Sequence, residues 1–230
     1  MKGILYGVGV GPGDPELMTL KAIRIINECD AVALPTENPT ESVAWNIAKG
    51  AVSGIEKKHI IAVNMPMTKD KTALAQSHQK AAEKLAEYLR QGKNIAFLTL
   101  GDPTVYSTYM YISYILEELG CKTEIISGIT SFCAAAARLN ISLAETDQPL
   151  HIIPASYREY QLEQLLSLSG TKVLMKSGKK MAKVKQCVAE SAQTAFLVEN
   201  CGMKNEKVYN GAENIPDDAG YYSLLIVKER

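Results

Sequence analysis

Glycine stands at every second position from 7 to 13 (Gly7, Gly9, Gly11, Gly13), behind an apolar run over residues 4–10 and ahead of Asp14-Pro15-Glu16. Such a string can bring bare backbone against a ligand, because glycine admits positive φ and lets another molecule approach the main chain. A dinucleotide fingerprint needs Gly-x-Gly and then a third Gly or Ala three positions on. Counted from Gly7 that position is Pro12, and from Gly9 it is Asp14. Asp30 has roughly the spacing of a ribose-binding acid, but it precedes the apolar run 31–34 instead of ending it. A phosphate loop needs Lys and then Ser or Thr after its last glycine; here Asp14-Pro15 follows, and an acid there repels phosphate. Neither pattern is satisfied. Asp14 can accept from free amides at a helix start, and Pro15 suits the first helical position. The glycines fit a ligand-facing loop and also a tight strand-to-helix turn.

Three further groups could carry chemistry. Gly101-Asp102-Pro103-Thr104 follows a buried run, where open α/β sheets place their ligands. Asp102 can either cap a helix starting near Val105 or belong to a loop that holds polar groups of a cofactor. Gly128-Ile129-Thr130-Ser131 makes a similar turn before Ala134, Ala135, Ala136 and Ala137, small enough to pack on a flat ligand or on another helix. Lys176, Lys179, Lys180, Lys183 and Lys185 form the densest basic cluster. Helical spacing turns Met181, Val184 and Val188 to the core and most of these lysines to solvent, leaving Lys176 and Lys179 near the turn, with Arg138 and Arg158 behind them. Tyr106, Tyr109 and Tyr111 could wall a ligand, although three positions around one helix cannot all face it. His59, His78 and His151 form no evident Ser-His-Asp or Cys-His set; His78 is expected at the surface, and His151 precedes an apolar strand.

These residues need elements to position them. Strand-like runs at 4–10, 31–34, 60–63, 94–99 and 123–126 alternate with helical patterns at 17–27, 42–51, 72–91 and 105–119, the last two closed by Gly92 and Gly120. That alternation predicts an α/β domain with a mainly parallel sheet. After a small-residue helix at 131–139, residues 140–149 read as a linker. Strands then follow at 150–153, 171–176, 194–199, 206–209 and 220–228, with helices at 158–167 and 179–191. The closer strand spacing predicts a second α/β domain with a mixed sheet. The expected organisation is a domain at 1–139 and another at 140–230, with a cleft between them.

Composition narrows the classes. A chain of 230 residues can bury a substantial core. Its formal net charge is zero, so no nucleic-acid footprint is expected. No apolar stretch is long enough to span a membrane, and Met1-Lys2-Gly3 runs into the first strand without a signal peptide, so a cytoplasmic protein is expected. Five cysteines without close pairs predict neither a disulfide framework nor a metal site.

The stretch 7–22, GVGVGPGDPELMTLKA, resembles the N-terminal signature of the tetrapyrrole methyltransferases of the cobalamin and sirohaem pathways. Residues 98–112, LTLGDPTVYSTYMYI, resemble their central Gly-Asp-Pro loop, and 125–143, IISGITSFCAAAARLNISL, their strand, turn and small-residue helix. Ser127 stands where the family usually has proline. Matches at 104–111, 131–140, 198–209 and 221–228 are closest to the branch that methylates carbon 20 of precorrin-2 or its cobalt form. The resemblance implies S-adenosylmethionine as methyl donor, with S-adenosylhomocysteine as product, a tetrapyrrole substrate and a homodimer. It implies donor contacts from Pro12, Leu100, Gly101, Asp102, Val105, Tyr106, Thr130, Ser131, Lys176 and Cys201. A substrate rich in carboxylates would then meet Gly9, Gly11, Asp14, Lys176, Lys179 and Arg138, with the polar loop 35–42 able to close over it. No catalytic base is assigned, since a sulfonium donor brings its own leaving group.

Overall fold

The computed structural model describes residues 2–229 except 37, 67, 69, 155–160, 177–180 and 191–192. The chain divides into two compact units, Met1–Thr130 and Ser131–Arg230.

The first unit carries β1 (Ile4–Gly9), α1 (Leu20–Glu28), β2 (Ala31–Leu34), α2 (Val43–Ala51), β3 (His59–Ala62), α3 (Lys71–Arg90), β4 (Ile95–Thr99), α4 (Tyr109–Glu118) and β5 (Lys122–Ile126). Its five strands are all parallel, in the order β3-β2-β4-β1-β5. Two apolar layers cover the sheet. Ile25 and Ile26 of α1 and Trp45, Ile47 and Ala48 of α2 pack on Val8, Val32 and Leu98. On the other face, Leu85 and Leu89 of α3 and Tyr109, Ile112 and Leu116 of α4 pack on Leu5, Ala33 and Phe97. Caps fix the helix starts: Thr19 Oγ1 accepts from Ala22 N at 3.1 Å, and Asp70 Oδ1 accepts from Thr72 N at 2.8 Å.

The strand order has a direct consequence. From β1 the chain crosses by α1 toward β2; from β4 it crosses by α4 in the opposite sense toward β5. Crossovers of one hand then put α1 and α4 on opposite faces, which their separate core layers bear out. β1 and β4 are adjacent, so the carboxyl ends of this pair form the switch point at which α/β sheets bind ligands.

Two helices begin later than the periodicity suggests. Residues 15–17 form a single 3-10 turn, Met18 is extended, and α1 starts at Leu20. α4 starts at Tyr109 instead of 105, because Tyr106 adopts φ +51 and a helix cannot pass through it.

The second unit carries α5 (Ser131–Leu139), β6 (Leu150–Pro154), α6 (Leu162–Leu166), β7 (Thr171–Met175), α7 (Met181–Glu190), β8 (Gln193–Glu199), β9 (Lys207–Asn210) and β10 (Ser223–Glu229). The sheet order is β6-β7-β10-β8-β9. Only β6 and β7 pair in parallel, so the sheet is mixed as expected. Leu162 and Leu166 of α6 and Met181, Val184 and Val188 of α7 pack on Leu174, Leu197 and Leu225. α5 ends the expected first domain in the sequence, yet it groups with the second unit and packs against β10.

Candidate methyl-donor site

In the first unit the three singled-out loops converge after β1, β4 and β5. The loop after β1 pairs with the loop after β4: Gly101 N donates to Gly11 O at 2.8 Å and Gly11 N to Gly101 O at 3.3 Å. Gly101 and Gly11 take φ +71 and +79, which glycine adopts without strain. A β-carbon on Gly9 would fall 2.6 Å from both Gly101 O and Gly128 N. One on Gly128 would fall 2.2 Å from Gly101 O. Gly9 therefore lacks a side chain because protein backbone occupies that space, a packing reason added to the expected ligand approach. Gly7 is similar: its β-carbon would meet the Tyr109 ring at 2.4 Å. Asp14 Oδ1 accepts from Glu16 N at 2.9 Å, the expected capping bond, and Pro12 is buried between these contacts.

Asp102 is buried, and it does not cap a helix at Val105, since α4 starts at Tyr109, seven residues beyond Asp102. Its Oδ1 accepts from Thr104 N at 2.8 Å and from Thr104 Oγ1 at 2.5 Å. Its Oδ2 accepts from Gly128 N at 2.9 Å. The rest of the loop is pinned by Ser107 Oγ, which accepts from Tyr109 N at 3.1 Å and lies 3.3 Å from Thr99 Oγ1. Leu100 and Val105 are half-buried and Tyr106 is exposed. Tyr109 is wholly buried and donates its hydroxyl to Glu124 O at 2.8 Å, so it belongs to the core and walls nothing. Burial pushes its phenol up to about 12. Tyr111 is not a free wall either: its ring stacks on His78, centroids 5.0 Å apart, and burial lowers the His78 pKa.

Thr130 Oγ1 is buried without a hydrogen-bond partner. A buried hydroxyl left unpaired costs about 1–3 kcal/mol, and this one sits two residues beyond Gly128, at the carboxyl end of β5.

In the second unit, Lys176 and Asn200 each stand one residue past a strand, β7 and β8, and both take positive φ, +59 and +51. Non-glycine residues in this region are uncommon and collect at functional sites. The register Met175↔Leu224↔Val198 sets these two strand ends on one edge of the sheet. Burial lowers the pKa of Lys176. Cys201 follows Asn200, and burial pushes its thiol up to about 11, so it remains protonated and is not a nucleophile near neutrality. Arg138, expected to meet substrate carboxylates, pairs with Glu206, whose Oε2 accepts from Gly202 N at 2.8 Å. Glu199, which is buried, accepts from Gly220 N at 2.6 Å and Ser223 Oγ at 3.2 Å. Glu199 and Glu206 escaped sequence reasoning, because nothing in their spacing distinguishes a loop-holding carboxylate from a surface one. Ser131 opens α5. Lys179, Lys180 and Arg158 lie outside the described residues.

Among the described residues the histidines have other partners. His59 Nε2 lies 3.2 Å from the Tyr88 hydroxyl and His151 Nε2 lies 2.9 Å from Ser169 O. No group of three or more metal-ligating side chains occurs among the described residues.

A family model for the tetrapyrrole (corrin/porphyrin) methylases matches residues 4–214. The chain belongs to this family. A probable cobalt-precorrin-2 C(20)-methyltransferase from Methanocaldococcus jannaschii is 36% identical to this methylase over 228 residues, covering 97% of this chain and 95% of the relative. A precorrin-2 C(20)-methyltransferase from a Sinorhizobium species is 30% identical over 233 residues, covering 98% and 95%. A uroporphyrin-III C-methyl transferase from Thermus thermophilus, solved in complex with S-adenyl homocysteine, superimposes on this methylase with TM-score 0.71 at 18% identity, covering 99% and 98%. No helix among the described residues of this tetrapyrrole methylase is long and apolar enough to cross a membrane.

Proposed function

We propose that the chain is an S-adenosylmethionine-dependent C-methyltransferase acting on carbon 20 of cobalt-precorrin-2 in cobalamin biosynthesis. The observation that carries this reading is the 36% identity, over almost the full length of both chains, to a relative named for that reaction. The Sinorhizobium relative is named for metal-free precorrin-2, which makes that substrate the second reading.

Bound S-adenosylmethionine would supply a methyl group on a sulfonium that carries its own leaving group. The work left to the protein is to hold donor and acceptor in line and to exclude water. On this reading the backbone at 100–102 and the Thr130 hydroxyl hold the donor, with Pro12, Val105, Tyr106 and Ser131 beside it. Support comes from the orphaned Thr130 Oγ1 and from the position of these loops at the β1/β4 switch point. The family resemblance adds Lys176 and Cys201 as candidate donor contacts, and Lys176, Lys179, Gly9, Gly11 and Asp14 as candidate tetrapyrrole contacts. Arg138 pairs with Glu206 beside the turn bearing Cys201, and its exposed guanidinium is a further candidate for the substrate carboxylates. The enzyme works as a homodimer in the cytoplasm, checked by light scattering and by fractionation.

The deciding experiment incubates purified protein with methyl-labelled donor and each tetrapyrrole in turn. Label at carbon 20 is expected, faster with the cobalt form. Label from the metal-free form alone selects the second reading, and no label from either rejects both.

A further inference from the structure

We infer that Asp102 is a positioning residue for the methyl donor: its carboxylate clasps the loop after β4 to the loop after β5 and so fixes the donor-holding atoms of both. The inference rests on the donor-site reading above.

A carboxylate as buried as Asp102, 7% exposed, is costly unless hydrogen bonds compensate it. Here three donors do so, Thr104 N, Thr104 Oγ1 and Gly128 N. Both oxygens are thereby committed to protein, so the side chain's part is to hold its neighbours. Those neighbours are telling. One arm fixes the turn whose preceding residue, Gly101, bonds to Gly11. The other arm reaches 26 residues along the chain to Gly128, two residues before the unpaired Thr130 hydroxyl. The glycine contacts leave no slack, because the Gly101 carbonyl is wedged against both Gly9 and Gly128. Only a carboxylate serves both arms: it accepts on two oxygens, whereas an amide accepts on one and donates from the other.

Asp102→Asn is the matching test, since it keeps size and loses one acceptor. With oxygen kept toward Thr104, its amide nitrogen would face the Gly128 N–H donor to donor. Hydrogen exchange should then accelerate at residues 127–130 and remain unchanged in β2. S-adenosylhomocysteine should bind about ten-fold more weakly by calorimetry, a loss of ~1.4 kcal/mol. The KM for the tetrapyrrole should stay within two-fold. Thr104→Ala, which removes one donor and keeps the Gly128 arm, should weaken S-adenosylhomocysteine binding by less. Wild-type affinity and wild-type exchange in Asp102→Asn would overturn the inference. So would a uniform loss of melting temperature and of affinity for both substrates, which would mark Asp102 as structural only. Wild-type protein that binds no S-adenosylhomocysteine refutes the donor-site reading instead, and faster exchange at 127–130 in the variant would still uphold the clasp.

Discussion

Gly9 and Gly128 sit backbone against backbone: a β-carbon on Gly9 would lie 2.7 Å from the α-carbon of Gly128, and one on Gly128 would lie 2.8 Å from that of Gly9. Neither contact can relax by turning a flexible side chain, since each partner is main chain.

Gly9→Ala should therefore destabilise the first unit by about 1–3 kcal/mol or more, the range for forced overpacking. Urea denaturation followed by circular dichroism would read it. Unchanged stability would mean that the loops after β1 and β5 are not held as described.

The Tyr109 hydroxyl makes a different kind of core contact. Its bonds to Glu124 O at 2.8 Å and Leu5 O at 3.4 Å tie α4 to strands β5 and β1. Tyr109→Phe should cost about 1 kcal/mol and leave S-adenosylhomocysteine affinity within two-fold. Tyr109→Ala should cost about 3–5 kcal/mol, as large aromatic truncations do. Equal losses in the two variants would assign the stability to the hydroxyl and not to the ring.

Lys172 lies wholly buried in β7, its Nζ without a hydrogen bond and 3.7 Å from Glu229 Oε1. Burial lowers its pKa more than Glu229 raises it. Between that depressed value and the ordinary 10.5, the unfolded chain binds more protons, so stability rises with pH through the window. Lys172→Met should abolish this alkaline rise and be neutral or stabilising by about 1–4 kcal/mol at pH 7. A marked loss of stability in Lys172→Met would show that the ion pair outweighs its desolvation.

Glu206 points the other way. Burial pushes its carboxyl up, but the Gly202 N–H and the Arg138 guanidinium outweigh that and hold it below the usual carboxylate value. Its contribution to stability is present above the unfolded value, about pH 4, and is lost as pH falls through the depressed folded value. Urea midpoints across pH 2 to 7, roughly the carboxylate range, should fall less steeply on the acid side in Glu206→Gln than in wild type. Identical acid slopes would remove Glu206 from the set of groups that hold the turn at Cys201.

Much of the fold was legible because apolar periodicity and turn residues agree along this chain. Residues 31–34 and 131–139 read from pattern are β2 and α5, and Gly92 and Gly120 follow α3 and α4 with positive φ as expected. Helix starts were less legible, since Met18 and Tyr106 are compatible with a helix by type and adopt non-helical backbone because of their loops. In the candidate site, sequence picked out the loops at 101–104 and 128–131. It could not tell that Asp102 spends its carboxylate on Gly128, because a bond across 26 residues leaves no local trace. The Arg138–Glu206 pair left no local trace either, since its partners are 68 residues apart.

The place of β1 in the sheet bears on how the chain is made. Within this chain β1 is made before its partners β4 and β5, so Ile4 must wait for Lys122 and Leu5 for Ile95. At translation speeds of about 5–20 residues per second, that wait is on the order of ten seconds. Throughout it, an apolar strand with two open edges has no partner, which is the condition under which nascent chains pair with one another. The same interior strand that later lines the switch point is, during synthesis, an apolar segment open to pairing with other chains.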